Sequence, residues 1–355
     1  MNNKKSPLAA VKGLLSSGKQ NFVIILAAIA LFAIFTLINP GFARSGNLLT
    51  MTKSFVPYAI LALGVTFVIA TGGIDLSIGT VCIGSAVLAG AICKTGVSID
   101  DGNLALTIPV ILLSGLCFGL INGFLVAKCK IAPFIATLGT MMVSRGLTAV
   151  IAEAVRETSS AVKYPTTGWL QKVFTNFNGF PIGLVWVLGL TIICMIVMYK
   201  TKVGRYILAI GSNEEAARLS GINTDKYKII AYAICGVFAG MAALFYMASN
   251  PSLTIASGNG MELDAVAGTY IGGTSTTGGS ASVIGTILGS LILVIIRQGL
   301  NIALSSGSVV SATNITYAVT GVIVVGAVLL DVLKKKSAAK VKIPVAAEKK
   351  EKVVK

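Results

Sequence analysis

The chain has 355 residues, of which 55% are apolar and only 12% are charged, and its mean hydropathy is +0.86. Soluble globular domains carry about 25% charged residues, so this composition argues against a soluble fold and against extensive disorder. Histidine is absent, which excludes His-based catalytic triads and His metal ligands. The net charge is +16, but the basic residues sit at the chain ends and in loops. We therefore expect an all-α polytopic membrane protein whose partner is the lipid bilayer, not nucleic acid.

Ten apolar segments predict ten membrane spans, because a bilayer core accommodates about 20 apolar residues per helix. The third and eighth of these segments are rich in Gly and Ser, and each carries or adjoins an acidic residue. An eight-span alternative makes these two segments re-entrant, which is tolerated where protein or a cavity covers the backbone. The predicted spans are 22–39, 55–72, 76–93, 105–127, 132–152, 181–199, 229–250, 262–276, 281–303 and 312–333.

The basic residues predict the orientation of the spans, since cytoplasmic loops carry an excess of Lys and Arg. Of the 29 such residues, six fall in predicted outer loops and most of the others fall in predicted cytoplasmic segments. We expect a cytoplasmic N-terminus (1–21), a transmembrane domain (22–333) and a basic cytoplasmic tail (334–355). Within the transmembrane domain, residues 200–228 form the longest internal cytoplasmic segment and residues 153–180 form an extracytoplasmic loop.

A short pattern recurs in the two halves of the chain. Thr71-Gly72-Gly73 is followed after four residues by Ile78-Gly79-Thr80, and the same letters recur at Thr277-Gly278-Gly279 and Ile284-Gly285-Thr286. Five spans in each half would orient the halves oppositely, and inverted repeats with interrupted helices are typical of transporters. The pattern predicts an inverted five-plus-five repeat, the alternative being a chance match in a chain with 39 glycines.

One stretch nearly matches a phosphate-binding loop. Gly13, Gly18 and Lys19 have the required spacing, but Gln20 stands where a Ser or Thr would hold Mg²⁺. If ATP powers this protein, we therefore expect another chain to bind it. The six cysteines include no CxxC pair, and most lie in apolar runs where Cys behaves as a small hydrophobe, so no metal site, disulfide framework or cofactor is indicated.

The longest cytoplasmic segment contains the signals of a short helix. Ser212 or Asn213 is placed to cap it, and Glu214 and Glu215 in its first turn complement the positive end of the helix dipole. Gly221 is placed to end it. The helix is either an ordinary interfacial loop helix or a docking element for a partner protein.

Four groups of residues together resemble the ribose-type sugar permeases of ABC importers. That family's cytoplasmic coupling segment is similar to Gly204-Arg205-Tyr206 and the run from Gly211 to Ile222. The other similar stretches follow the family's order over residues 50–335: Gly73-Ile74-Asp75-Leu76-Ser77-Ile78-Gly79; Pro133-Phe134-Ile135-Ala136-Thr137-Leu138-Gly139-Thr140-Met141 with Arg145-Gly146; and Glu262-Leu263-Asp264-Ala265-Val266-Ala267 with Gly272-Gly273-Thr274-Ser275, Gly278-Gly279 and Gly299-Leu300-Asn301.

The resemblance implies a type II-like permease in the bacterial cytoplasmic membrane that moves a monosaccharide, ribose or a related sugar, by alternating access. It implies three protein partners: a cytoplasmic ABC ATPase, an extracytoplasmic sugar-binding protein and a second permease chain, expected to complete a homodimer. The outer loop 153–180, with Trp169, is the candidate surface for the binding protein. The resemblance also implies which residues couple to the ATPase: Asn213, Glu214, Glu215, Ala216, Ala217, Arg218 and Gly221.

Polar residues in or beside the spans are candidates for the translocation pathway. A carboxylate at the bilayer centre costs about 2.5–3.5 kcal/mol, so it should face a cavity or a partner. The acidic candidates either cap helix ends and shape a gate or contact the sugar directly. Arg145 either adds a hydrogen-bonding group along the pathway or, the interpretation we prefer, has a snorkelling or ion-paired structural role. The pathway or gate residues are Asp75, Ser77, Asn122, Phe134, Glu262, Asp264 and Asn301, to which Ser144 and Arg297 add hydrogen-bonding groups.

Two other functional classes are alternatives. An ion-coupled secondary transporter would use Asp75, Glu262 and Asp264 as a relay, but these acids are few and lie near predicted span ends. A membrane-embedded enzyme would need a nucleophile–base pair or paired carboxylates at metal spacing, and neither is evident in the sequence. Both are less consistent with the sequence than a permease that performs no catalysis.

Overall fold

The computed structural model describes most of the chain, namely residues 7–94, 104–154, 162–163, 169–250 and 252–304, with separate helical residues between 315 and 329. Over these residues the chain is almost entirely helical. The two described strands, β1 (Val162–Lys163) and β2 (Ser252–Leu253), pair antiparallel. This confirms the all-α class that the composition predicts.

The described helices differ widely in length. Two 3₁₀ turns, Pro40–Ala43 and Ile255–Gly258, follow α1 and β2 respectively. In chain order the α-helices are α1 (Pro7–Ile38), α2 (Ser45–Ala70), α3 (Ile78–Lys94), α4 (Leu104–Ala127), α5 (Pro133–Ala154), α6 (Trp169–Phe174), α7 (Gly183–Lys200), α8 (Lys202–Ser212), α9 (Glu214–Leu219), α10 (Thr224–Ser249), α11 (Met261–Ile271) and α12 (Val283–Leu304).

Seven of the described helices are long and apolar enough to cross a membrane: α1 from Gln20 onward, α2, α4 from Leu106 onward, α5, α7, α10 and α12. They coincide with seven of the ten predicted spans. The third predicted span corresponds to α3, whose apolar part covers only Ile78–Ile92, and the eighth corresponds to the 11-residue α11. The tenth, 312–333, lies mostly outside the described residues. The count of ten therefore stays a prediction.

Helix α2 lies at the centre of the bundle. Nearly every residue from Phe55 to Ala70 is buried, as expected for a helix that is hydrophobic all round. At Gly64 the backbone of α2 lies so close to α10 that an added Cβ would be 2.5 Å from the Cβ of Phe238. Toward α12, the hydroxyl oxygens of Thr66 and Thr286 are 3.0 Å apart and form a buried hydrogen bond. α2 is therefore held on several sides at once.

Helices α4 and α10 pack backbone to backbone through glycines. A Cβ added to Gly115 would lie 2.2 Å from the carbonyl oxygen of Gly236, and one added to Gly119 would lie 2.4 Å from that of Tyr232. Small residues permit such close approach inside a membrane, where apolar side chains gain little by leaving lipid. The glycine faces thus make α4 and α10 a single packed pair.

Helices α5 and α7 present largely uncovered faces. Within their apolar windows 28% of α5 and 22% of α7 is buried, whereas 83% of the α2 window is buried. The outward side of α5 carries large apolar side chains such as Ile135, Val143 and Val150. Since apolar surface of this extent is unfavourable in water, lipid or another chain must cover it.

Candidate functional site

The segment between α2 and α3 is a buried, non-helical link. Helix α2 ends at Ala70, Gly72 turns the chain with a φ of +84°, and α3 begins at Ile78. Asp75, which is 2% exposed, accepts hydrogen bonds through Oδ1 from the backbone N–H of Ser77 at 2.9 Å and from its hydroxyl at 2.7 Å. The carboxylate therefore satisfies polar groups just before the first turn of α3, in agreement with the capping interpretation.

Asn122 of α4 connects this link to α5. Its Nδ2 donates to the Ser77 hydroxyl at 2.8 Å and lies 3.4 Å from Asp75 Oδ1, and its Oδ1 accepts from the Thr140 hydroxyl at 2.6 Å. The hydroxyl of Tyr232, on α10, donates to the carbonyl of Ile74 at 3.1 Å. We call Asp75, Ser77, Asn122 and Thr140 the link cluster; it joins the link to α4 and α5.

The structure brings together three of the predicted pathway residues, Asp75, Ser77 and Asn122, although Asn122 is 45 residues from Ser77 in sequence. Sequence reasoning missed the fourth member, Thr140. Its only signal was a hydroxyl within the Pro133–Met141 stretch, where Thr137 is an equal candidate.

A second group of polar residues holds the short helix α11 in place. Asp264 forms an ion pair with Arg297 of α12, and the Arg297 guanidinium lies 5.1 Å from the ring centroid of Tyr58 on α2. Arg297 also donates to the Tyr58 hydroxyl at 2.5 Å. This arrangement pairs the buried Asp264 with the partly buried Arg297 and connects three helices. Tyr58 is absent from the sequence predictions.

Glu262, two residues before Asp264, faces a different neighbour. Its carboxylate lies against the start of α3, where a Cβ added to Gly79 would be 2.4 Å from Glu262 Oε2. Nearby, Arg145 Nη2 of α5 donates to Asn259 Oδ1 at 3.0 Å. The two acids of the Glu262–Asp264 motif therefore face different helices, Glu262 the start of α3 and Asp264 helix α12.

Two predicted pathway residues lie apart from these groups. The side chain of Phe134 is 56% exposed at the start of α5, on its uncovered face. Asn301 is partly buried near the end of α12. Within the part of the chain that the structure describes, neither is joined by a hydrogen bond to the link cluster or to the Asp264–Arg297 pair.

On the predicted cytoplasmic side, α9 has the form that the sequence predicts. Asn213 caps it, its Oδ1 accepting from the backbone N–H of Ala216 at 2.9 Å, and Gly221 follows with a φ of +81°. Glu215 and Arg218 form an exposed ion pair at 2.8 Å. The Glu215 carboxylate beside Arg218 raises the pKa of that guanidinium by hydrogen bonding and charge attraction.

One ion pair fastens α9 to α10, and two more join the start of α10 to the α4–α5 loop. Glu214 pairs with Lys228 of α10 at 2.6 Å, and Asp225 pairs with Lys130 at 2.7 Å and with Lys128 at 3.2 Å in the α4–α5 loop. An open groove of about 710 Å³ runs beside α9, lined by Lys130, Glu214, Glu215, Arg218, Gly221, Ile222, Asn223, Thr224 and Asp225.

Gly211 and Ser212, just before the cap of α9, lie against the end of α2 and the second copy of the repeated glycine motif. A Cβ added to Gly211 would be 2.0 Å from the carbonyl oxygen of Ala70, and one added to Gly279 would be 2.5 Å from the Ser212 hydroxyl. The two copies of the motif also touch, since a Cβ added to Gly278 would be 2.6 Å from the backbone nitrogen of Gly72. A displacement of α9 would thus reach the end of α2 directly.

The candidate site offers hydrogen-bonding groups but no evident metal ligand set. Among the described residues, no three His, Cys, Asp or Glu side chains are grouped so that they could hold a metal ion. Asp75 and Asp264 are already engaged by neighbouring side chains.

Comparison with known proteins places the chain among transport components. Residues 47–328 match the family model described as branched-chain amino acid transport system / permease component. The ribose import permease protein RbsC of Escherichia coli K12 is 37% identical over 285 residues, covering 78% of this chain and 85% of that protein. RbsC of Bacillus subtilis is 37% identical over 313 residues, covering 88% and 92% respectively. The fructose import permease protein FruF of Bifidobacterium longum is 35% identical over 261 residues, covering 72% and 70%. No solved structure matches the chain.

Proposed function

This chain belongs to the family of transport-system permease components, and from that premise we propose that it is the membrane-spanning subunit of an ATP-driven sugar importer. The proposal that the solute is a sugar rests on the similarity, over more than two thirds of the chain, to permeases named for ribose and fructose import. We propose a monosaccharide of the ribose type as the solute. The subunit is a transport permease and performs no covalent chemistry.

Three partners complete the proposed importer. A separate ABC ATPase supplies the energy, since the one near-match to a phosphate-binding loop has Gln20 in place of the Mg²⁺-binding hydroxyl. A sugar-binding protein docks outside, where the loop 153–180 is the proposed surface. A second copy of this chain forms the other half of the pathway, which agrees with the uncovered apolar face of α5.

We propose the ten-span arrangement with both termini in the cytoplasm. The seven described spans, the short helices α3 and α11 and the predicted last span make ten, and only this count places α9 in the cytoplasm together with both termini. The non-helical backbone before α3 is covered by protein, as at Asp75, which makes an interrupted segment tolerable in a membrane. The contact between the two Thr-Gly-Gly motifs supports an inverted repeat whose halves meet beside α9.

Helix α9 is the proposed contact with the ATPase, and it transmits the conformational change of the ATPase to the permease. The proposed contact residues are Asn213, Glu214, Glu215, Ala216, Ala217, Arg218 and Gly221. Leu219 at its end is 80% exposed, and a large apolar side chain in that position suits a protein partner. The contact of Gly211 with the end of α2 transmits a movement of α9 to the centre of the helix bundle.

The link cluster is the proposed gate. Because Asn122 holds the link, α4 and α5 together, a relative movement of α5 must break its bond to Thr140 or carry the link along. Phe134 and Asn301 remain proposed pathway residues. Asp75 and Asp264 make poor ion relays in this arrangement, since both are engaged by neighbouring groups. This disfavours the ion-coupled alternative.

The coupling role is tested by Glu215→Lys in the complete importer, reconstituted in liposomes with its ATPase and binding protein. Because Glu215 is exposed, we expect unchanged thermal stability. We expect both sugar uptake and ATP hydrolysis stimulated by the loaded binding protein to fall by about fivefold or more, the size of an interprotein coupling of ~1 kcal/mol.

Glu351→Lys in the basic tail is the matched control, with the same charge change on the same predicted side of the membrane. Retention of both activities by Glu215→Lys would contradict the coupling role. Uptake that persists without ATP and collapses with an ionophore would instead indicate the ion-coupled alternative.

A further inference from the structure

Three buried polar atoms lie close together without a hydrogen-bond partner among the described residues: Ser144 Oγ and Arg145 Nε on α5, and Glu262 Oε2 at the start of α11. The side chains of Ser144 and Glu262 are only 2% and 8% exposed. Leaving a buried polar atom without a partner costs about 1–3 kcal/mol, so such groups usually have a use outside the conformation observed.

The three atoms belong to one locality. Arg145 donates to Asn259 at 3.0 Å, and Asn259 precedes Glu262 by three residues. No ion pair joins Arg145 and Glu262 in the described structure, where Arg145 Nε and Glu262 Oε2 both lack a hydrogen-bond partner. Glycines of α3 bring its backbone close, since a Cβ added to Gly84 would be 3.2 Å from the Ser144 hydroxyl.

This locality lies deep in the membrane. Arg145 is 12 residues from the start of the apolar helix α5 and nine from its end, which places it about 18 Å and about 14 Å from the two ends at 1.5 Å per residue. Asn259 is nevertheless exposed beside the uncovered face of α5. Polar groups exposed at that depth face a water-filled cavity or another protein, not lipid.

We propose that Ser144, Arg145, Asn259 and Glu262 form a contact site for the hydroxyl groups of a neutral sugar in transit. This inference rests on the proposed function. A sugar hydroxyl both donates and accepts, and the set offers a carboxylate acceptor, a guanidinium donor, and an amide and a hydroxyl that do either. Hydrogen bonds to charged groups are the stronger kind, and they need no net charge on the solute.

The conformation explains why the site is closed here. Glu262 Oε2 and Arg145 Nε are buried, and Glu262 and Ser144 both lie against glycines of α3, so the sugar reaches the site only when α5 separates from α3. The site is then open to the sugar at one stage of alternating access. Its groups return to the closed arrangement described above once the sugar leaves. Arg145 is a contact residue in this arrangement and not only a structural one.

The test uses the complete importer in liposomes with radiolabelled D-ribose and D-fructose as probes, measuring sugar delivered per ATP hydrolysed. The isosteric Glu262→Gln and Ser144→Ala should lower that ratio, by about tenfold for Glu262→Gln, the effect of losing a hydrogen bond to a charged group. ATP hydrolysis stimulated by the loaded binding protein should stay within about twofold of wild type. Glu262→Asp should recover part of the loss.

Asn250→Ala is the matched control for Asn259→Ala, because the Asn250 amide donates within its own helix end, to the Tyr246 carbonyl at 2.8 Å, and to no other helix among the described residues. An unchanged ratio in Glu262→Gln, or equal loss of uptake and ATP hydrolysis, would overturn the site. A wild-type importer that carries neither sugar would instead contradict the proposed solute class, so the two failures are distinguishable.

Discussion

Single charged residues acquire their roles here from partners on other helices. The buried Asp264 and the partly buried Arg297 are 33 residues apart, and each charge is acceptable in the membrane because the other neutralises it. Asp75 has no cation in the described structure, and hydrogen bonds from Ser77 and Asn122 stabilise it instead. Glu262 has one carboxylate oxygen without a described hydrogen-bond partner, which leaves that oxygen able to bind the sugar in the proposed contact site.

The Asp264–Arg297 pair leads to a prediction about thermal stability. Arg297→Met should lower the melting temperature of the purified permease strongly, since removing one partner of a buried pair costs about 3–5 kcal/mol. The double variant Asp264→Asn with Arg297→Met should recover much of that loss because no buried charge is left alone. A fluorescence melting curve in detergent measures both. A double variant as unstable as the single one would show that the pair is not the source of the effect.

At the level of elements, the distance between two helix backbones determines whether the helices move together. The glycine contact between α4 and α10 makes these two helices move as one, whereas α5 has open space over Gly139 and Gly146. The link between α2 and α3 adjoins both groups. Movement of α5 against the α4–α10 pair is therefore opposed less by packing than separation of α4 from α10 is.

This difference predicts opposite effects for the same substitution. Gly115→Ala places a Cβ 2.2 Å from the Gly236 carbonyl oxygen, and overpacking of this kind costs about 1–3 kcal/mol. Gly146→Ala meets nothing within 4 Å and gains helix propensity. We expect the melting temperature to fall by several degrees for the first and to hold or rise for the second. Equal stability of the two variants would contradict the packing argument.

At the scale of the whole molecule, the charge distribution predicts which ends face the cytoplasm. Leu219 and Phe177 are exposed residues, 80% and 52% respectively, on opposite predicted sides of the membrane. In a background lacking the native cysteines, Leu219→Cys should react with a membrane-impermeant maleimide only in inside-out vesicles. Phe177→Cys should react only in right-side-out vesicles. The reverse pattern would contradict the orientation set by Lys and Arg.

Features that depend on near neighbours could be predicted from the sequence. The cap at Asn213 and the end of α9 at Gly221 involve residues within two helical turns, so their signals are local. The apolar spans and the glycine faces of α4 and α10 are local patterns as well. The lengths of α3 and α11 were less predictable because hydropathy alone does not show where protein replaces lipid around a helix.

The order of the amino acids thus established a helical membrane protein, its α9 helix and the residue types available for a pathway. Packing established which of those residues meet: Thr140 with Asn122, Tyr58 with Arg297, and Asn259 with Arg145. The reason is physical. A cap or an apolar face is defined within a turn or two, whereas these partners lie on different helices, 18 to 239 residues apart, and meet only once the helices have packed.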